Sequence, residues 1–219
     1  QRGEETAELH RLFETFMQAH AVPAAGTTTE APSYGWFAEA PEDDSFIGSR
    51  GRAFDITVIS RPGADATSLH QRAVEFGLFE SGRPVLLAPP GGAKGIATNV
   101  MIHWNGSTEQ ARANAFAMPL LHLADRVSVL SVAGGQDVPG PSADDIVRQL
   151  QHHGIAATLI RIKLGNRDTG EAVLDAAKAE GCDLLVKGAF TRNRLRQMSF
   201  GGATSYIMEH AELPVLMAH

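Results

Sequence analysis

The sequence predicts an α/β fold in which a parallel sheet is wound on both faces by helices, and three observations predict it. From residue 95 onward, short apolar runs alternate with stretches of helical period. The links between successive runs are long enough to hold a helix, which implies parallel strands, right-handed crossovers and a sheet covered on both sides. Near the end, a strand (Asp183-Leu184-Leu185-Val186-Lys187) runs into Gly188-Ala189-Phe190-Thr191, nine residues follow, and Gly201-Gly202-Ala203-Thr204 opens a helix. Glycines between a strand and a helix let a backbone approach an anion, which the free N–H groups and positive end of the helix can hold.

The elements follow in order. Val100-Met101-Ile102-His103-Trp104 reads as a buried strand that turns at Asn105-Gly106. Ser107 with Gln110 three residues later is a capping-box pattern, predicting a helix to about Leu123 with Ala111, Ala115, Met118 and Leu121 inward. Arg126 to Val132 is the next strand, and a Gly/Pro-rich loop leads to a helix carrying Ile146, Val147 and Leu150. Ile155 to Ile162 is the third strand. Asp168 and Glu171 precede a helix bearing Ala172, Val173 and Ala176. The glycine-loop strand, its helix and Leu213-Pro214-Val215-Leu216-Met217 complete five strands and four helices.

The first ninety residues read as a partial copy. Phe54 to Ser60 parallels Cys182 to Gly188, and Gly82-Arg83-Pro84-Val85-Leu86-Leu87-Ala88 parallels Glu212 to Ala218. The Asp-to-Pro spacing is about 30 residues in both, the scale of an internal duplication. Tyr34 to Ala38 would match the third strand, and the amphipathic opening helix (Leu9, Leu12, Phe13, Phe16, Met17) would match the one containing Ile146. The opening strand–helix–strand has no counterpart. Since the first strand of such a sheet is central, roughly 50–60 further residues are expected ahead of Gln1 in the natural chain. Pro90 to Gly95 is the natural linker, so the expected division is 1–91, a degenerate repeat, and 92–219, a complete one.

Bulk properties exclude several classes. The 219 residues are 43% apolar, ample for a core, and carry a net charge of −6, which argues against nucleic acid and anionic membranes as partners. The single cysteine, Cys182, leaves no internal disulfide framework and no cysteine zinc cage, and fits a reducing cytosol. No apolar stretch reaches 18 residues. His103, His210 and His219 could converge near strand ends, but no HxH or HxxxH pair exists, so no specific metal site is expected. Solvated or helix-end placement is the ordinary reading for these histidines. Ser107 reads as a cap, Cys182 as inert packing, and Asp43-Asp44 and Asp144-Asp145 as acids favoured near helix starts. Trp36 and Trp104 read as core or pocket-wall residues.

The tandem arrangement, the glycine loop and the Pro-Val-Leu ending together resemble the universal stress protein family, in a double-domain form with an incomplete first repeat. The resemblance implies a Rossmann-like sheet of order 3-2-1-4-5 in each repeat, with the final strands available for self-association, as a pseudo-dimer or a homodimer. It also implies an ATP or AMP site in the second repeat, with Asn105 near the ribose and Val132 beside the base. Gly188, Gly201, Gly202 and Thr204 would line the phosphates, with Thr191 and Ala203 in the same binding loop and Arg192 or Arg194 supplying charge. Three positions depart from the family pattern: Thr191 stands for the second loop glycine, Gly202 for a Ser/Thr, and Asn105 for an Asp. His103-Trp104 stands where a small Pro-Val pair is common, and the first repeat has Ser60-Arg61-Pro62-Gly63 at the loop position, predicting no nucleotide there. With no Walker lysine, magnesium carboxylate or general base, efficient catalysis is not expected. The implied function is a cytoplasmic stress-response switch. The alternative is a dimerisation or scaffold module with a decayed site, binding a protein partner or an apolar metabolite.

Overall fold

The computed structural model describes residues 2–26, 32–37, 45–61, 68–93, 95–135, 137–190 and 202–219. The chain divides into two compact units, residues 1–43 and 44–219.

In the first unit, α1 (Arg2–Ala19) lays Phe13 against Tyr34 and Trp36, and His10 stacks on Trp36 at 4.8 Å. Leu9, Leu12 and Phe16 remain exposed. The strand expected from Tyr34 to Ala38 does not form among the described residues. Tyr34 makes one isolated parallel bridge to Ala24, and 35–37 carry no ladder.

The second unit holds one seven-stranded sheet. Its elements are α2 (Phe46–Gly51), β1 (Thr57–Ser60), α3 (Ser68–Glu80), β2 (Val85–Ala88), β3 (Asn99–His103), α4 (Thr108–Leu121), β4 (Arg126–Ala133), α5 (Ala143–His152), β5 (Ala157–Lys163), α6 (Thr169–Ala179), β6 (Leu184–Gly188), α7 (Ala203–His210) and β7 (Val215–Ala218). The strand order is β1-β2-β7-β6-β3-β4-β5. The five strands β5-β4-β3-β6-β7 therefore run 3-2-1-4-5, all parallel. β1 and β2 are a parallel pair joined by α3, as β6 and β7 are joined by α7. The two halves meet where β2 pairs antiparallel with β7, Leu86 opposite Leu216.

Burial explains the strand sequences. β3, β6 and β7 sit inside the sheet with helices on both faces and so read as continuous apolar runs. β5 lies at an edge and alternates, with Thr158, Arg161 and Lys163 exposed. One core joins α4 and α5 (Ala113, Ala117, Leu121, Ile146, Leu150) to Val100, Ile102, Val129, Leu184 and Val186. The other joins α3, α6 and α7 (Val74, Leu78, Val173, Ala177, Ile207) to Met101, Leu130, Leu185 and Met217. Full burial of a leucine or valine of this kind contributes about 1.5–3 kcal/mol.

Two expectations fail on α4. Ala111 and Ala115 are exposed, and the buried stripe is Gln110, Ala113, Asn114, Ala117 and Leu121. Ser107 does cap the helix, its Oγ accepting from Gln110 N at 3.1 Å. The Gln110 amide, however, turns inward to Asn114 and β6 instead of closing a capping box.

Candidate functional site

In a parallel α/β sheet, the carboxyl ends of the strands and the amino ends of the following helices share one edge, where loops are free to bind. Here that edge collects the ends of β3, β4 and β6 with the starts of α6 and α7.

β3 ends at His103, and the chain continues through Trp104 and Asn105 into the α4 cap. Asn105 is buried, its Oδ1 accepting from Ser107 Oγ at 2.8 Å and Ser107 N at 3.2 Å. Trp104 is buried on the α4–α5 face and donates from Nε1 to the Pro141 carbonyl at 2.8 Å. A cleft of about 270 Å³ opens beside it, lined in part by Asn105, Ser131, Asp137 and Arg161. Burial pushes the Asp137 carboxyl up from its ordinary range. Val132 points the opposite way, fully buried in the α6–α7 core.

β6 ends at Gly188, whose environment explains the glycine. A Cβ there would lie 2.4 Å from Gln110 N and 2.7 Å from the Glu109 carbonyl carbon, inside the backbone of α4. Its N–H donates to Gln110 Oε1 at 2.6 Å. Gly188 thus serves close packing of α4 on β6, and its N–H is already committed. Beyond it, Ala189 N bonds to the Ala218 carbonyl at 2.8 Å, and Phe190 is buried at φ 54°, a left-handed conformation costly for a bulky residue.

α7 starts at Gly202 with φ 133° and ψ 169°, a backbone region reserved for glycine, and it has no side-chain cap. Ala203 and Thr204 are buried, and Thr204 Oγ1 accepts from Phe190 N at 3.4 Å, tying the two sides of the loop together. Thr191, Arg192, Arg194 and Gly201 lie outside the described residues.

Sequence reasoning passed over Lys187 at this edge and gave His103 a solvated or helix-end placement as its ordinary reading. His103 is fully buried, not solvated, and neither ring nitrogen has a partner among the described residues. Burial first, and the charge of Lys187 second, hold its imidazole well below the usual range and therefore neutral. Lys187 is buried beside it, and desolvation draws its ammonium down to about 8.

The other candidates are placed apart. His210 stacks on Tyr206 and its Nδ1 lies 2.9 Å from that residue's carbonyl, while His219 meets the Ala189 carbonyl at 3.0 Å and the edge of Phe79. Among the described residues, no group of three His, Cys, Asp or Glu is placed to hold a metal. Asp144 and Asp145 pair with Arg161 and Arg148, and Asp145 closes a capping box with Ser142. Asp43 and Asp44 lie outside the described residues. No described helix is long and apolar enough to cross a membrane.

Comparison with known proteins agrees with this architecture. Residues 98–219 match the family model described as the universal stress protein family. A universal stress protein from Archaeoglobus fulgidus DSM 4304 superposes with a TM-score of 0.69 at 13% identity, over 99% of this chain and 76% of that one. A functionally unknown protein from Pseudomonas aeruginosa PAO1 superposes with a TM-score of 0.56 at 13% identity, over 97% of this chain and 76% of that one. No curated protein sequence matches the chain.

Proposed function

The chain belongs to the universal stress protein family, and from that premise we propose that it is a cytoplasmic stress-response protein whose C-terminal repeat binds an adenine nucleotide, ATP or AMP, as a switch. The observation that carries the reading is the start of α7. Gly202 opens that helix without a side-chain cap at the edge where β3 and β6 end, and an uncapped helix start favours phosphate through its free N–H groups and dipole. Buried Thr204 adds a hydroxyl and Lys187 a positive charge at the same edge. These residues fit a phosphate group; magnesium would arrive with the nucleotide. Binding acts as a switch on what the protein presents to a partner, and no efficient hydrolysis accompanies it. Residues 1–91 are read as a degenerate first repeat, a reading supported by the antiparallel meeting of β2 and β7, the last strand of each half. The same geometry suits self-association through final strands.

The test is native mass spectrometry of the purified protein, followed by ATP and AMP titration with a thermal-shift readout. An adenine-nucleotide adduct, or stabilisation that grows with concentration, is expected. Gly202→Val should abolish that stabilisation while far-ultraviolet circular dichroism is unchanged. Full stabilisation in the variant would overturn the assignment.

A second reading has its own observation. The Gly188 N–H is spent on Gln110, the Asn105 Oδ1 serves the α4 cap, and Phe190 fills the edge. These favour a scaffold with a decayed site, for which no nucleotide shift is expected at millimolar concentration.

A further inference from the structure

Two nitrogen-bearing side chains lie buried side by side in the C-terminal unit, with little to hold them. β3 and β6 pair in parallel with Ile102 opposite Val186, so the next residues, His103 and Lys187, are neighbours on the α6–α7 face. They are 2% and 3% exposed. Lys187 Nζ makes one long bond, to the Gly188 carbonyl at 3.3 Å, leaving most of its donor capacity unspent. Neither nitrogen of His103 is bonded among the described residues. No ion pair among the described residues involves Lys187, and desolvation is what lowers its ammonium, with no carboxylate opposing it. A buried cation of this kind is ordinarily paired. The uncapped start of α7 belongs to the same edge of the sheet, and among the described residues no carboxylate pairs with the Lys187 amine.

We propose that Lys187 and His103 form an anion-holding subsite that receives a phosphate group, with Lys187 supplying the positive charge and His103 an imidazole N–H donor. The partner missing from the buried pair is thus the phosphate itself. The inference rests on the nucleotide reading for the source of that phosphate, either the phosphate of AMP or ATP, or free orthophosphate. It assigns recognition to two side chains rather than to the glycine loop.

The experiment titrates orthophosphate, adenosine, AMP and ATP against the wild type, Lys187→Met and His103→Leu, each checked for folding by circular dichroism. Ligand-dependent thermal stabilisation is read for each. The wild type should prefer AMP and ATP to adenosine by tenfold or more, and Lys187→Met should erase the preference while keeping any adenosine binding. If the wild type responds to orthophosphate but to no adenine compound, and Lys187→Met abolishes that response, the subsite stands and the nucleotide reading falls. If AMP and ATP bind Lys187→Met as tightly as the wild type, the nucleotide reading stands and the subsite is overturned. A wild type unmoved by all four compounds overturns both. A measurement without substitution guards against misfolding. The Lys187 Cε resonance of the wild type should shift on saturation with the phosphate-bearing compound that binds, and a resonance that stays put overturns the subsite.

Discussion

Replacing Lys187 with methionine should make the protein more stable, although it removes a side chain from the middle of the fold. Burial lowers the Lys187 ammonium from its ordinary 10.5 to about 8. At 1.36 kcal/mol for each tenfold, the folded state carries a penalty of about 3 kcal/mol at pH 7. The sign follows from proton counts. Between pH 8 and 10.5 the unfolded chain holds a proton on this lysine that the folded chain has released, so the penalty is complete below about 8 and is relieved as pH climbs towards 10.5. Methionine has a similar length and no charge, so Lys187→Met should gain up to about 3 kcal/mol at pH 7, or roughly 6–12 °C in Tm for a chain of this size. At pH 10 the advantage should shrink to about 1 kcal/mol. Urea denaturation of both proteins at pH 7 and pH 10 measures the two gaps, and pairing the proteins cancels the titration of other groups. A variant less stable than the parent at pH 7, or a gap that does not change with pH, would refute the claim that an uncompensated ammonium is buried here.

Gly188→Ala should destabilise by about 1–3 kcal/mol, because the new Cβ meets the α4 backbone at 2.4 Å and neither element can easily retreat; the urea midpoint reports it. Gln110→Leu keeps the volume but leaves the buried Gly188 N–H unpaired, so a loss of about 1–3 kcal/mol is expected in the same assay. Burial, with the Glu180 charge nearby, pushes the Cys182 thiol up to about 11. Iodoacetamide at pH 8 should therefore alkylate it roughly tenfold more slowly in the folded protein than in urea. The thiolate fraction falls about a hundredfold, and the more basic thiolate regains about a factor of ten.

The strands were legible because a sheet covered on both faces needs runs such as Val100 to Ile102 and Leu184 to Val186, and few other structures do. The Ser107 and Asp168 caps were equally plain, since each places a side-chain oxygen just before a helical period. The inward face of α4 was not. A hydrophobic period points to Ala111 and Ala115, whereas Gln110 and Asn114 share the buried stripe with Ala113, Ala117 and Leu121, their amides satisfied by each other and by β6. Polar residues can be core when their hydrogen bonds close internally, and a hydrophobic period cannot register that. The strand expected at Tyr34 failed for a related reason: its aromatic residues serve α1, where Phe13 and His10 pack on them, and need no ladder.

The buried pair at the site was within reach of the sequence but required one more step. In Val-Met-Ile-His and Leu-Leu-Val-Lys, the polar residue closes an otherwise apolar strand, and in each it falls on the alternate face from the isoleucine or valine before it. Strand order 3-2-1-4-5 makes those two strands neighbours, so their final residues must share a face and lie within reach of each other. Read separately, each looks like an ordinary strand end leaving the core. Read together, they place an amine and an imidazole under α6 and α7, where both become buried. An apolar side chain would fill that space without the cost in stability. A lysine held there against about 3 kcal/mol is explained by a compensating anion, and the same charge that strains the empty fold would strengthen the bound one. Stability and phosphate recognition should therefore move in opposite directions in Lys187→Met, a pairing that simple core repacking would not produce.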